Sequence, residues 1–227
     1  MFFSAAVAMI FTQVAGYAAT LIDGVISSRA LGADAYSAIS LLGPFTGVIL
    51  LLGGAVSAGS QVVISSLVGV GKKEEANAAF AAALVISVAV SALLLLCSIF
   101  FPGQLFAVCG VSADGHPGIY PHMLEYLQGY RIGIPAMMVI LILGPMIVMD
   151  NGKNLFVASA VVMCGADAAG DLINAYVLKG GAFGMGLAST IAFLAQLCFL
   201  LTHFLKKNCY FRISFKGMRL SLTRGIK

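Results

Sequence analysis

Residues 77–101 read NAAFAAALVISVAVSALLLLCSIFF, an apolar run with no charged side chain. Coiled as an α-helix this stretch is about 37 Å long, enough to cross the roughly 30 Å hydrocarbon core of a bilayer. A helix bonds its own N–H and C=O groups, which lipid cannot do for it. Five further segments are similarly long and predominantly apolar, at about 1–27, 37–69, 123–149, 155–178 and 184–205. The expected fold is an all-α integral membrane protein, a bundle of six transmembrane helices. Composition agrees. The chain is 60% hydrophobic and 10% charged, with a mean hydropathy of +1.02. Soluble domains carry about 25% charged residues, so this chain lacks the polar surface to cover itself in water.

The segment 37–69 is overlong for one straight crossing, and Pro44 among several glycines predicts a bend in it. Pro135 and Pro145 predict kinks in the fourth segment, since each removes a backbone donor. Short charged or glycine-containing connections separate the segments, the longest over about 102–122. Alternate loops then fix the orientation through the positive-inside rule. With both ends cytoplasmic, Lys72, Lys73, Lys153, Lys206, Lys207, Arg212, Lys216, Arg219, Arg224 and Lys227 all lie inside, against Arg29 and Lys179 outside. The plasma (inner) membrane is the expected location. Residues 1–205 read as the transmembrane unit and 206–227 as a basic cytoplasmic linker, its Lys and Arg mixed with Phe211, Ile213 and Phe215. The formal charge of +4 belongs to this topology, and no nucleic-acid partner is expected. Cys97, Cys109, Cys164, Cys198 and Cys209 lack metal-ligand spacing and are expected to be buried, reduced thiols.

Acids within such segments are the candidates for function. An ionised Asp at the centre of a membrane helix costs roughly 2.5–3.5 kcal/mol on insertion scales, so an intramembrane carboxyl marks a site by default. Asp23 lies in the first segment, Asp167 and Asp171 in the fifth. The last two are four residues apart and share a helix face, with Gly170 and Asn174 extending a polar, open stripe. Two carboxyls this close resist carrying two charges at once, so the pair suits a shared proton or a small cation held by carboxylate and amide oxygens. The alternating topology also places Tyr126 and Thr190 within the first two turns of their helices, at the depth of the acids. Each has a plainer reading. Asp23-Gly24 could end the first helix, Asp167 could serve a structural hydrogen bond, Tyr126 could sit in an aromatic belt, and Thr190 could bond a carbonyl of its own helix. Gly69-Val70-Gly71-Lys72-Lys73 lacks the spacing of a phosphate-binding loop, and Gly184-Met185-Gly186 joins helices and not a strand to a helix. His116, His122 and His203 are scattered. No Ser/His/Asp or Cys/His set stands out, so no enzyme is expected.

Several motifs, in order, carry a resemblance. Asp23-Gly24-Val25-Ile26 precedes Ala30-Leu31-Gly32-Ala33-Asp34-Ala35, and Gly59-Ser60-Gln61 leads to Gly69-Val70-Gly71-Lys72-Lys73-Glu74-Glu75-Ala76. Tyr126 stands nine residues before Pro135, and Asp171 is followed by Gly184-Met185-Gly186-Leu187-Ala188-Ser189-Thr190. Along nearly its whole length the chain resembles the amino-terminal lobe of multidrug and toxic compound extrusion (MATE) transporters, members of a larger flippase-like exporter superfamily. The resemblance implies one lobe of a two-lobe transporter fold. It implies an antiporter exporting amphipathic organic cations by alternating access, coupled to H+ or Na+ and using no other cofactor. Asp23, Asp171, Tyr126 and Thr190 match the family's positions in helices one, five, four and six, with Na+ an option at Asp23 and Asp171. Asp167 falls where many relatives carry Asn, which adds a carboxyl. The expected partners are membrane lipid, the organic cation, and a second six-helix lobe. That lobe is covalent if the chain is truncated at Lys227, the favoured expectation, or supplied by another chain if it is a half-transporter. The rivals are a lipid-linked oligosaccharide flippase, which needs several cationic side chains in its cavity, and a non-transporting membrane subunit.

Overall fold

The computed structural model describes residues 2–205 and 209–212. Its helices are α1 (Phe2–Ala30), α2 (Ala33–Leu41), α3 (Gly43–Gly69), α4 (Lys73–Phe100), α5 (Pro102–Val108), α6 (Tyr120–Tyr130), α7 (Ile134–Met149), α8 (Lys153–Ile173) and α9 (Gly181–Leu201). Six stretches are long and apolar enough to cross a membrane: Ile10–Ala30, Ala33–Gly69, Lys73–Phe100, Tyr120–Met149, Lys153–Leu178 and Gly181–Leu205. Five of them begin earlier than their apolar runs, because a helix start welcomes polar groups. In α4 that start carries Glu74 and Glu75, whose charges suit the positive end of the helix dipole.

The prolines act where the sequence puts them, in two different ways. The second crossing is broken at Leu42, and Pro44 occupies the first turn of α3, where its missing N–H is no loss. The fourth is broken by a 3-10 turn at Arg131–Gly133, and Pro135 likewise opens α7. Pro145, by contrast, lies inside the continuous helix α7. A proline there deprives the carbonyl four residues back of its partner, and that carbonyl, Leu141, accepts the Ser57 hydroxyl at 2.7 Å. A neighbouring helix thus repairs the backbone.

Helices α8 and α9 pack along each other, α1 lies on α8, α6 on α9, and α3, α4 and α7 form the other side. Buried apolar side chains gather in two clusters. One holds Phe45, Phe106, Met123, Leu127 and Ile134, the other Ile64, Phe80, Ile142, Met146 and Leu200. Leu51, Val62, Leu93 and Ile191 stand exposed on the flanks, a surface suited to lipid. Lipid tails are as apolar as leucine, so such helices associate through close packing at small residues. Here Gly129 of α6 faces the α9 backbone at Phe183 and Leu187, and Gly186 of α9 faces the α6 backbone at Tyr126 and Tyr130.

The linker expected over 206–227 lies outside the described residues except for 209–212. These four return to the bundle. Phe211 is 2% exposed against Phe80, Lys73 Nζ stands 4.8 Å above the Tyr210 ring, and the Arg212 N–H donates to Asn77 Oδ1 at 2.7 Å. All five cysteines are free, but only Cys209 is buried, and Cys198 is exposed. A membrane helix has a lipid-facing side that tolerates a thiol, which explains the departure.

Candidate functional site

Asp23, Asp167 and Asp171 meet between α1 and α8. Each offers a carboxylate oxygen, and the three oxygens lie within 4.8 Å of one another. Asp167 is 5% and Asp171 1% exposed. The i, i+4 spacing on α8 sets both on the face that packs against α1 and α9. Asp23 reaches them because α1 does not stop at Gly24; it continues to Ala30. One oxygen of Asp23, one of Asp167 and both of Asp171 are buried without a hydrogen-bond partner. None of the ion pairs among the described residues involves these acids.

This arrangement is not self-sufficient. Two unit charges 4 Å apart repel by about 4 kcal/mol at an effective dielectric of 20, and no cationic side chain among the described residues pairs with these acids. Protons or a bound cation must relieve the cluster. Hard cations take oxygen ligands at 2.3–2.6 Å, so opposed ligands stand about 4.8 Å apart across one ion. The carboxylates are therefore close enough to share one small cation.

The surrounding polar residues divide into those at the acids and those used elsewhere. Tyr126 is 8% exposed, which excludes an aromatic-belt position. Its ring stacks on Tyr130 with centroids 5.6 Å apart, and it neighbours Ser189. Ser189 also stands beside Asp167, a neighbour the sequence reading passed over for Thr190. The Thr190 hydroxyl donates across the helix interface to Gly129 O at 2.7 Å and Tyr130 O at 3.2 Å. These carbonyls end α6 at the break before Pro135, where the Ile134 N–H turns to Arg131 O. Thr190 thus mends a proline break as Ser57 does, on a neighbouring helix and not its own. Thr190→Val is expected to lower stability by about 1–3 kcal/mol, the scale for orphaning a buried acceptor, while Thr190→Ser holds it. Thermal unfolding in detergent checks this, and equal melting of the three proteins would refute it.

Asn174 and Gly170 do not form the open stripe expected of them. The Asn174 amide donates to Gly181 O at 3.0 Å and its Oδ1 accepts the Gly180 N–H at 3.0 Å. Its side chain is occupied in closing the α8–α9 turn, because a π-turn at Asn174–Leu178 frees backbone groups there. Gly170 is covered by Ala188, whose Cβ lies 2.8 Å from where a Gly170 Cβ would stand. That is helix contact. Pro44 and Pro135 mark the helix breaks already described and touch none of the acids.

The fold is an all-α membrane bundle of six apolar crossing-length helices with a cluster of buried carboxyls between α1 and α8. The chain belongs to the MatE family, whose sequence model matches residues 8–165. It is similar to a multidrug resistance MATE family transporter of the MOP superfamily in an inward-facing conformation, with 20% identity over 88% of this chain and a TM-score of 0.79. The outward-facing conformation of such a transporter gives 19% identity over 94% of the chain and a TM-score of 0.83. A MOP superfamily transporter from Pyrococcus furiosus Vc1 (DSM3638), described as having a binding pocket of reverse polarity that suggests a different function, gives 19% over 95% and 0.83. At these identities the likeness shows the fold alone. The chain covers 44%, 46% and 47% of those three structures, so it spans about half their length. No curated protein matches the sequence significantly.

Proposed function

We propose that the protein supplies the ion-coupling lobe of an antiporter that exports amphipathic organic cations by alternating access. The observation that carries this is the meeting of Asp23, Asp167 and Asp171, four of whose buried oxygens receive no hydrogen bond from a fixed donor. The coupling ion, H+ or Na+, enters from the outer side and binds the three carboxylates. Their mutual repulsion falls, the helices that carry them draw together, and the population shifts toward the state that releases cargo outward. Tyr126 and Ser189 border the carboxylates and position them. The breaks at Leu42 and Arg131–Gly133 let α2 and α6 tilt without unwinding the rest of the lobe. Cargo binds in the cavity between this lobe and a second six-helix lobe, carried by the same chain or by another.

The side chains support a cationic cargo. The reverse pocket polarity described for the Pyrococcus furiosus relative means that this fold does not by itself choose the sign of the charge. Among the described residues Arg131 is the one Lys or Arg deep within a crossing, whereas a pyrophosphate-bearing lipid would call for several. Both termini lie on the cytoplasmic side by the positive-inside rule. Lys73, which stands over Tyr210, and Arg212, whose N–H bonds Asn77, lie at the same end of the bundle.

The test is ethidium efflux from cells that produce the complete transporter, with a proton or a sodium gradient imposed in turn. One gradient should accelerate efflux and its collapse should stop it. Efflux indifferent to both would refute ion coupling, and no efflux of any organic cation would refute the cargo.

A further inference from the structure

A second cluster of ligand-type side chains lies at the opposite end of the bundle from the α8–α9 turn. A carboxylate oxygen of Asp150, a ring nitrogen of His203 and the sulfur of Cys209 lie within 4.8 Å of one another. They come from three separate places: the turn between α7 and α8, the 3-10 turn Thr202–Leu205 after α9, and the segment 209–212. The sequence reading found no Cys/His set, because Asp150 and His203 are far apart in sequence and only the fold joins them. None of the three belongs to the Asp23 cluster.

We propose that Asp150, His203 and Cys209 bind a divalent transition-metal ion of the zinc class, which fastens the segment after α9 to the end of the bundle. The donor set is thiolate, imidazole and carboxylate, the three ligand types zinc takes. Bonds of about 2.0 Å to nitrogen and oxygen and 2.3 Å to sulfur put tetrahedral ligand atoms about 3.3–3.6 Å apart. The observed cluster reaches that spacing with small side-chain movements. The His203 Nε2 to Asp150 Oδ2 contact, 2.8 Å, opens slightly, and the sulfur closes in. Three protein ligands leave the fourth position for water.

The surroundings hold these donors ready. His203 is 4% exposed, and its Nδ1 is buried with no hydrogen-bond partner. When Nε2 takes the ion, its proton moves to Nδ1. Asp150 is oriented by the Tyr210 N–H, 3.1 Å from Oδ2 and 3.2 Å from Oδ1. The Cys209 thiol donates to His203 O at 2.9 Å, and binding the ion releases that thiol proton to solvent. Metal-free, these groups make a hydrogen-bonded clasp. With metal the same clasp is cross-linked.

The protein is purified without a histidine tag, titrated with Co2+, and then competed with Zn2+. One equivalent of Co2+ should produce thiolate-to-cobalt charge-transfer absorption that Cys209→Ser removes and Cys198→Ser leaves in place. A second measurement needs no variant to fold. At free Zn2+ about ten times the dissociation constant, the alkylation rate of Cys209 should fall about tenfold, read by mass spectrometry. Cys97, Cys109, Cys164 and Cys198 in the same molecule are the references. Cobalt bound without thiolate absorption, absorption surviving Cys209→Ser, or alkylation of Cys209 unmoved by Zn2+ each overturns the proposal.

Discussion

Replacing Asp171 by asparagine is expected to abolish ion-driven efflux and to leave the bundle folded and slightly more stable. Both of its oxygens are buried with no N–H or hydroxyl donor on them, and Asp23 stands against them, so it contributes a carboxyl to the cluster and no structural hydrogen bond outside it. If the coupling ion is a proton, the amide has no site to hold it and coupling disappears. If it is sodium, a full charge near 4 Å gives way to a dipole. At an effective dielectric of 20 that charge interacts by about 4 kcal/mol, or about a thousandfold in affinity. Stability should move the other way, since the neutral amide takes away one of the mutually repelling carboxyls that a proton or an ion must otherwise relieve. Asp171→Glu, which keeps a carboxyl, should recover part of the efflux. Glu74→Gln, at the exposed start of α4 and outside the cluster, should leave efflux unchanged. The measurements are ethidium efflux under the imposed gradient and thermal unfolding in detergent. Normal efflux by Asp171→Asn would remove the cluster from the mechanism, whereas lost efflux together with lost folding would show a structural residue.

The two properties that lipid penalises most were the most readable. Long apolar runs gave six crossings, and Asp23, Asp167 and Asp171 stood out because a carboxyl in hydrocarbon needs a reason. Their meeting follows from topology and from the i, i+4 repeat, both written in the chain. What was hidden depends on helix rotation. Ser189 and Thr190 are adjacent and chemically alike, yet a turn of 100° puts one by Asp167 and the other against the α6 carbonyls. Asn174 looked like an extension of the acidic stripe because it is one helical repeat beyond Asp171. A π-turn starting at Asn174 redirects its amide into the loop, and no residue pattern announces that turn. Ser57 beside the carbonyl released by Pro145, and Asp150 beside His203 and Cys209, are long-range meetings that only packing creates.

Gly186→Val should be the most damaging single change to the fold. A Cβ at Gly186 would run into the carbonyl oxygen of Tyr126 and stand 2.8 Å from the Tyr130 nitrogen. Both are backbone atoms, which cannot rotate away as a side-chain end can. Across the same crossing a Cβ at Gly129 would run into the Phe183 carbonyl and stand 2.6 Å from the Leu187 nitrogen, so α6 and α9 pack backbone against backbone and cannot shift sideways to relieve one site without closing on the other. Overpacking of this kind costs about 1–3 kcal/mol for a methyl, the expectation for Gly186→Ala, and the branched side chain of valine demands that the helices part. Parting them would pull Tyr126 and Ser189 away from each other and break the Thr190 bridge. Gly186→Val is therefore expected to give no monodisperse peak in size-exclusion chromatography. Gly47→Val on α3, where a Cβ meets nothing within 4 Å, should elute and melt as the unaltered protein does. In water such a crossing could be rescued by apolar burial elsewhere, but in lipid the close approach is itself the source of association. If Gly186→Val runs as a folded protein, α6 and α9 are not held by this contact, and the geometry that places Tyr126 beside the acids must come from the connections between the helices instead.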